Sequence, residues 1–263
     1  MAILVLVLCL TPTTTAIAEE DVEEHWLKRT VLVEERTAID CPSCAEIDPE
    51  LTMVAKSHGA RTAIVGIHVG DAFANNASIA RIAYQMKTDN TSYGTPTFFV
   101  DGVKTAEGYD AWSDVQKRIL LQESTRLAPE EIAMSLVDNE VIIPTPDFGQ
   151  LTIMILEHEK EVPQGVENMG EDHRDRVLIG MKVLDSSGNI SVYGDMILPE
   201  TWSVILVHEP EDGGEPYGVV EISNREIEEV NDDNLLMILA ISVFLGALLV
   251  FAPSNKPRIM EEE

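Results

Sequence analysis

Basic residues, cysteines and aromatic side chains are all scarce in this 263-residue chain. It has 18 Lys and Arg against 46 Asp and Glu, which gives a formal net charge of −28 at pH 7. This imbalance argues against nucleic acid as a partner, because Lys and Arg are needed to neutralise phosphates. The excess of negative charge indicates a strongly solvated surface, and a specific cationic partner is the alternative interpretation.

Motifs of several enzyme classes are also absent. The sequence has no G-x-S-x-G, no P-loop and no dinucleotide-binding fingerprint, so nothing in it supports hydrolase, kinase or NAD chemistry. Its six histidines form no spaced cluster with the cysteines, and a second C-x-x-C is missing. A soft-metal site at the single C-x-x-C is a minor alternative, and we expect neither a metal nor a cofactor.

Apolar segments lie near both ends of the chain. Residues 1–18 are uncharged and end in an A-x-A pattern, which resembles a secretory signal peptide, although they contain no basic residue. Residues 235–252 are uncharged and mostly apolar, with acidic residues before them and Lys256 and Arg258 after them. They predict a single-pass helix in the cell membrane, with a cytoplasmic tail and the bulk of the chain extracytoplasmic; a buried core helix is the alternative.

The chain has three cysteines, and Cys9 lies in the predicted leader. A mature chain would keep only Cys41 and Cys44, in the sequence Cys-Pro-Ser-Cys. That spacing lets the two sulfurs form a disulfide across one turn, and it places the first sulfur at a helix N-terminus, where amide dipoles favour the thiolate. An oxidising exterior suits such a pair. The motif therefore points to thiol–disulfide chemistry.

The pattern of apolar residues changes near residue 127. Before it, strand-like and helix-like segments alternate, which is typical of an α/β unit with a central sheet. From there to residue 223, about seven short strand candidates are separated by turn signals, which favours a β-sandwich of immunoglobulin type. Residues 163–176 form a long polar insertion, interpreted as either a disordered hairpin loop or a binding loop.

Residues 22–123 resemble the thioredoxin superfamily. The resemblance rests on the order strand, C-x-x-C, helix, strand and helix, followed by the sequence GTPTFFVDG at residues 94–102. That last sequence looks like the cis-proline loop of the superfamily, with Pro96 as the cis-proline. The whole layout is also similar to exported thioredoxin-like proteins that carry a C-terminal β-sandwich.

The resulting fold class is α/β, namely a thioredoxin-like domain followed by an all-β immunoglobulin-like sandwich and a single C-terminal transmembrane helix. The predicted segments are a signal peptide at 1–18, the thioredoxin-like domain at 19–126, the sandwich at 127–225, an acidic linker at 226–234, the transmembrane helix at 235–252 and the cytoplasmic tail at 253–263.

The resemblance also implies roles for residues around the cysteines. Cys41 would be the nucleophile, Cys44 would resolve the mixed disulfide, and Glu35 would relay a proton. Strand alternation alone leaves open whether Glu34 or Glu35 faces inward, and the family spacing favours Glu35. An acidic residue, Asp40, replaces the usual aromatic residue before the first cysteine, so we expect a less depressed thiol pKa and a less oxidising pair.

Substrate contacts would come from two loops. Thr95 and Pro96 would align the substrate chain by β-type pairing, and Pro42 and Ser43 lie between the cysteines. The predicted function is that of a membrane-anchored extracytoplasmic thiol–disulfide oxidoreductase. Its partners would be exported protein thiols and disulfides, a membrane or extracytoplasmic redox partner, and the membrane itself, but not nucleic acid. The alternative is a surface binding scaffold in which the disulfide is structural.

Overall fold

The computed structural model describes residues 30–58, 62–89, 94–125, 135–137, 140–142 and 145–224. Strands and helices alternate in the first part. They are β1 (Val31–Thr37), α1 (Pro42–His58), β2 (Thr62–His68), α2 (Asn76–Gln85), β3 (Thr97–Val100), β4 (Val103–Glu107), a 3-10 turn (Tyr109–Ala111) and α3 (Trp112–Thr125).

The second part contains only strands among its described residues. They are β5 (Ser135–Val137), β6 (Glu140–Ile142), β7 (Gln150–Glu157), β8 (Lys160–Glu161), β9 (His173–Arg174), β10 (Val177–Asp185), β11 (Ile190–Gly194), β12 (Trp202–Glu209) and β13 (Gly218–Ser223). Two pairs, β5–β6 and β8–β9, form separate two-stranded ribbons.

The remaining nine strands form one mixed sheet. Its order is β13-β12-β7-β10-β2-β1-β3-β4, and β11 pairs with β10 beside this path. The two parts of the chain join where Val177 of β10 lies opposite Gly66 of β2, and there the Gly66 amide donates to the Arg176 carbonyl at 2.8 Å. A Cβ at residue 66 would lie 3.1 Å from that carbonyl oxygen, so glycine permits the close approach.

The predicted fold class is wrong. Among the described residues no separate sandwich follows an α/β domain, because β7 and β10–β13 continue the sheet from the edge of β2 instead of forming two facing sheets. The described residues from Thr30 to Ser223 accordingly belong to one compact unit. The alternation of apolar residues indicated that these strands were half-buried, but alternation does not say which element covers the buried face.

The predicted fold class also included a transmembrane helix. Among the described residues, which include three α-helices, no helix is long and apolar enough to cross a membrane. The segments predicted as signal peptide and membrane helix, residues 1–18 and 235–252, lie outside the described residues.

Both faces of β1 are covered, and each of its seven residues is buried. On one face, Val31 and Val33 pack in the same apolar cluster as Ile47 and Leu51 of α1. On the other face, Leu32 shares a cluster with Ala77 of α2 and with residues of the later strands. The two consecutive glutamates of this strand therefore both point into the protein, one on each side of the sheet.

Glu34 belongs to a buried ion cluster on the α2 side. The Arg81 side chain on α2 donates to Glu34 at 2.5 and 3.2 Å and to Glu209 of β12 at 2.7 and 2.8 Å. All three side chains are at most 1% exposed. One guanidinium thus holds together a strand from each part of the chain and a helix.

Candidate functional site

The two cysteines lie where β1 ends and α1 begins. Cys41 and Cys44 form a disulfide with an S–S distance of 2.05 Å and a Cα–Cα distance of 5.3 Å. Pro42 is the first helical residue, where its missing N–H would have no intrahelical partner, and the Cys44 amide donates to the Cys41 sulfur at 3.1 Å. Cys41 is 7% exposed and Cys44 is 1% exposed, so the pair is close to the surface but largely covered.

The loop before Cys41 is held from two sides through the peptide groups of Ile39. Its amide donates to the Asp71 carboxylate at 2.8 Å, and its carbonyl accepts from the Met169 amide at 3.0 Å and from the Arg174 side chain at 3.3 Å. Met169 and Arg174 belong to the polar insertion, and its strand β9 pairs with β8, which lies just before the insertion, to close a hairpin. The insertion is therefore an ordered hairpin anchored to the cysteine loop, and the interpretation as a disordered hairpin loop is wrong.

Asp71 is the main anchor on the other side of that loop. Its carboxylate accepts from His68 at 2.6 Å and from the Phe73 and Ala74 amides at 2.9 and 3.0 Å. Burial acts to raise the pKa of Asp71, but the hydrogen bond and charge of His68 together with the amide donors hold it below its ordinary value. The carboxylate form is thus the one that this structure stabilises.

The position of Glu35 answers the question that alternation left open. It lies on the same face of β1 as Val31 and Val33, which pack against the helix that follows the cysteines. Glu34 lies on the opposite face, in the ion cluster with Arg81. Of the two glutamates, Glu35 is therefore on the side of α1.

Glu35 is a buried carboxyl with incomplete hydrogen bonding. It is 2% exposed, and its Oε1 atom has no hydrogen-bond partner among the described residues. Burial raises the pKa of Glu35 well above its ordinary value, and the charge of Asp48 adds to the effect. Arg176, a hydrogen bond with Thr37 and Arg174 oppose the shift without cancelling it. Burial thus favours the protonated form of Glu35 over what an exposed glutamate would show.

Thr95 and Pro96 are joined by a cis peptide bond. Pro96 is buried and Thr95 is partly buried. Arg36 of β1 lies opposite Thr97 of β3 in an antiparallel pair, so the residues just before β3 lie beside the end of β1 that leads to Cys41. The structure therefore brings this loop, the disulfide and Glu35 to one end of neighbouring strands.

The two residues between the cysteines differ in exposure. Pro42 is exposed and Ser43 is partly exposed, so both are accessible to another molecule. Asp40 is exposed as well.

Three charged residues close to the site were not among the predicted site residues. They are Asp48, one helical turn after Cys44, and Arg174 and Arg176, which come from the hairpin and its exit. The spacing of four residues from Cys44 could have indicated Asp48, because residues four apart share a helix face. The arginines carry no such local signal, since they reach the site only through the pairing of distant strands. In the described part of the chain, no group of three or more His, Cys, Asp or Glu side chains is arranged to hold a metal ion.

Comparisons with known proteins leave the family open. No protein-family model matches the chain, and no curated protein matches it. Two solved structures are similar. HBP35 of Porphyromonas gingivalis has a TM-score of 0.54 at 14% identity, over 90% of this chain and 81% of that one. Protein AGR_C_4864 from Agrobacterium tumefaciens has a TM-score of 0.50 at 18% identity, over 74% of this chain and 95% of that one. At these identities the likeness concerns the fold alone.

Proposed function

We propose that this protein is an extracytoplasmic thiol–disulfide oxidoreductase that exchanges disulfides with exported proteins. The observation that carries the proposal is the Cys41–Cys44 disulfide at the start of α1, on the side of the sheet where Glu35 is buried with a raised pKa. The resemblance of residues 22–123 to the thioredoxin superfamily supports the same interpretation.

The chemistry follows from the two sulfurs. In the reduced protein, the Cys41 thiolate attacks one sulfur of a substrate disulfide, forms a mixed disulfide and releases the other substrate sulfur as a thiolate. Glu35 then takes the proton of the Cys44 thiol, and the Cys44 sulfur attacks Cys41, which releases the second substrate thiolate. The substrate is reduced by two electrons and the protein pair is oxidised by two. The reverse sequence oxidises a substrate dithiol.

Substrate recognition is assigned to the surface around the disulfide. Thr95 and Pro96 would pair with an extended substrate chain, and Pro42 and Ser43 are accessible beside the sulfurs. The carboxylate of the exposed Asp40 precedes the nucleophile. A negative charge there disfavours the thiolate, so we expect a less oxidising pair than in thioredoxin-like oxidants that have no acidic residue at this place.

A trapping experiment tests this function. The full chain with Cys44→Ser retains the nucleophile, Cys41, but lacks the thiol that resolves the mixed disulfide. We expect adducts with exported proteins on non-reducing gels, and we expect them to disappear when Cys41 is also replaced by Ser. A folded and exported Cys44→Ser protein that forms no adduct would contradict the proposal.

A binding scaffold with a structural disulfide is the second candidate. The low exposure of the cysteines, 7% and 1%, is the observation that favours it, because a sulfur that substrate cannot reach does not exchange. Equilibration of the full chain with dithiol buffers separates the two functions. A pair that stays oxidised below about −300 mV would indicate a structural disulfide, whereas a higher potential would indicate an exchanging one.

A further inference from the structure

A cavity lies between α1 and the hairpin, next to the disulfide. It has a volume of about 450 Å³. The α1 side is formed by Ala45, Asp48, Pro49 and Thr52, and the hairpin side includes His173, Arg174 and Arg176. The cavity thus begins at the residue that directly follows Cys44.

Asp48 connects the covered site with this cavity. It is four residues after Cys44 on α1, so the two side chains share the inward face of the helix, about 5–6 Å apart at Cβ. Ile47 and Leu51 on the same stretch are buried against β1, whereas the Asp48 side chain keeps 35% of its surface exposed. One carboxylate is therefore close to the buried β1 face and also reaches solvent.

The two arginines of the hairpin hold this edge of the cavity. The Nε atom of Arg174 lies 3.5 Å from Asp48 Oδ2, and the Nη2 atom of Arg176 donates to Thr52 Oγ1 at 3.2 Å. Burial raises the pKa of Asp48, while Arg174 and Arg176 counter the effect. Charged and titratable groups from three elements face Asp48, namely Glu35 from β1, His68 from β2, and Arg174, Asp175 and Arg176 from the hairpin and its exit. Further along the cavity lie Glu159, Glu171 and His173.

Glu35 needs such a neighbour if it is to act repeatedly. It is 2% exposed, so a proton taken from Cys44 cannot leave it directly into solvent. It lies on the face of β1 that packs against α1, the helix that carries Asp48, and after burial the negative charge of Asp48 is the next cause that raises the pKa of Glu35. Proton transfer between two carboxyl groups requires hydrogen-bond reach, either directly or through one water, and the face shared by β1 and α1 is where Glu35 and Asp48 can meet that condition.

We propose that Asp48 is a second relay residue, which passes the proton between Glu35 and solvent in the cavity, and that Arg174 and Arg176 are positioning residues that hold this route open. The inference rests on the proposed function and names how its proton leaves. In the forward direction, the Cys44 S–H bond breaks, Glu35 binds the proton, Asp48 receives it from Glu35, and solvent takes it from Asp48. The same groups run in reverse when the pair is reduced.

The resolving step can be followed by itself. The reduced full chain is mixed with an aromatic disulfide that releases a coloured nitrothiobenzoate on each thiol attack. The first release reports attack by Cys41, and the second reports attack by Cys44 on the mixed disulfide. Both are recorded by stopped flow across a pH series, for the wild type, Asp48→Asn, Asp48→Glu and Glu50→Gln. Glu50 is an exposed carboxylate on the same helix and serves as the matched control.

We expect Asp48→Asn to slow the second release about tenfold on its high-pH plateau and to leave the first release unchanged. This is less than the ~100-fold or more of direct general acid–base catalysis, because Asp48 acts through Glu35. Asp48→Glu should restore much of the rate, and Glu50→Gln should behave as the wild type. Should Asp48→Asn fail to fold, Asp48→Ser takes its place in the same comparison.

Three outcomes would overturn the inference while the proposed function stands. They are an unchanged second release in Asp48→Asn, a shift of its pH midpoint with an unchanged plateau, and an equal slowing in Glu50→Gln. The second of these would assign Asp48 an electrostatic effect on Glu35 without proton transfer. A wild-type protein that gives no second release at all would instead contradict the proposed function itself.

Discussion

Replacing Arg81 by Met tests whether one buried cation joins the two parts of the sheet. Arg81 makes four short contacts to Glu34 and Glu209, and all three side chains are at most 1% exposed. Removing one partner of a buried ion pair costs about 3–5 kcal/mol, because the other charge stays buried without compensation. Here one substitution leaves two buried carboxylates without their cationic partner, so we expect at least this loss in the free energy of unfolding at pH 7. Against a total of about 5–15 kcal/mol, that is a large fraction.

The assay is urea unfolding of the full chain, followed by circular dichroism at constant salt. With an m value of about 2 kcal/mol/M, the midpoint should fall by roughly 2 M. Lys117→Met is the control, because its ion pair with Asp114 is mostly exposed, at 72% and 65%, and should change stability by less than about 1 kcal/mol. A loss below about 1 kcal/mol at pH 7 would refute the reasoning.

Three further predictions concern the site and the sheet. Glu35→Gln should raise the free energy of unfolding at neutral pH, because the raised pKa of Glu35 means that its ionised form destabilises the fold. This gain in stability should vanish as pH falls toward about 4.3, the ordinary pKa of a glutamate. A gain that does not depend on pH would contradict the assignment. Asp71→Asn should remove a stabilisation that the wild type has above about pH 3.9 and loses as pH falls through the lowered pKa of Asp71. Urea unfolding from pH 2 upward should therefore give the two proteins the same free energy of unfolding in acid. A difference between them that stays constant with pH would contradict this prediction. Gly180→Ala should lower the free energy of unfolding by about 1–3 kcal/mol or more, because the added Cβ would lie 1.8 Å from the Asp195 carbonyl oxygen. Gly94→Ala is the control, because its Cβ would meet nothing within 4 Å and should leave stability nearly unchanged. Thermal unfolding of both variants measures the difference.

The tryptophans report on whether the fold is one cooperative unit. A third tryptophan, Trp26, is first replaced by Phe. In that background Trp112→Phe retains only Trp202 on β12, and Trp202→Phe retains only Trp112 on α3. A single sheet implies the same fluorescence midpoint in both variants after correction for stability. Two separate transitions would restore the picture of independent domains.

The local pattern of apolar and turn residues was sufficient to predict most helices and strands, but it was not sufficient to predict how they are arranged. The strand at Val31, the helix after the cysteines and most later strands follow directly from periodicity and turn residues. The pairing of Val177 with Gly66 is set by the absence of a side chain at residue 66 and by an exposed strand edge, and neither is visible as a periodic pattern. The sandwich was therefore inferred where the sheet simply continues.

The candidate site divides in the same way. Spacing located Cys41, Cys44 and Glu35, because these residues lie on consecutive elements that are close in sequence. The ion cluster around Glu34 was not visible in the sequence, since Glu209, which binds the same Arg81 side chain, is 175 residues away in the chain. Arg174 was hidden for the same reason, and its contact with Ile39 exists only because the hairpin folds back onto β1.

The hydrogen bonds of Ile39 have a consequence for the order in which the protein matures. During synthesis the N-terminal elements leave the ribosome first, so Cys41 and Cys44 emerge long before Met169 and Arg174, which fix the loop beside them. Contacts this distant in sequence also form slowly. We expect the nascent chain to pass through a stage in which its thiols are more accessible to oxidants and to other cysteines than they are in the finished molecule.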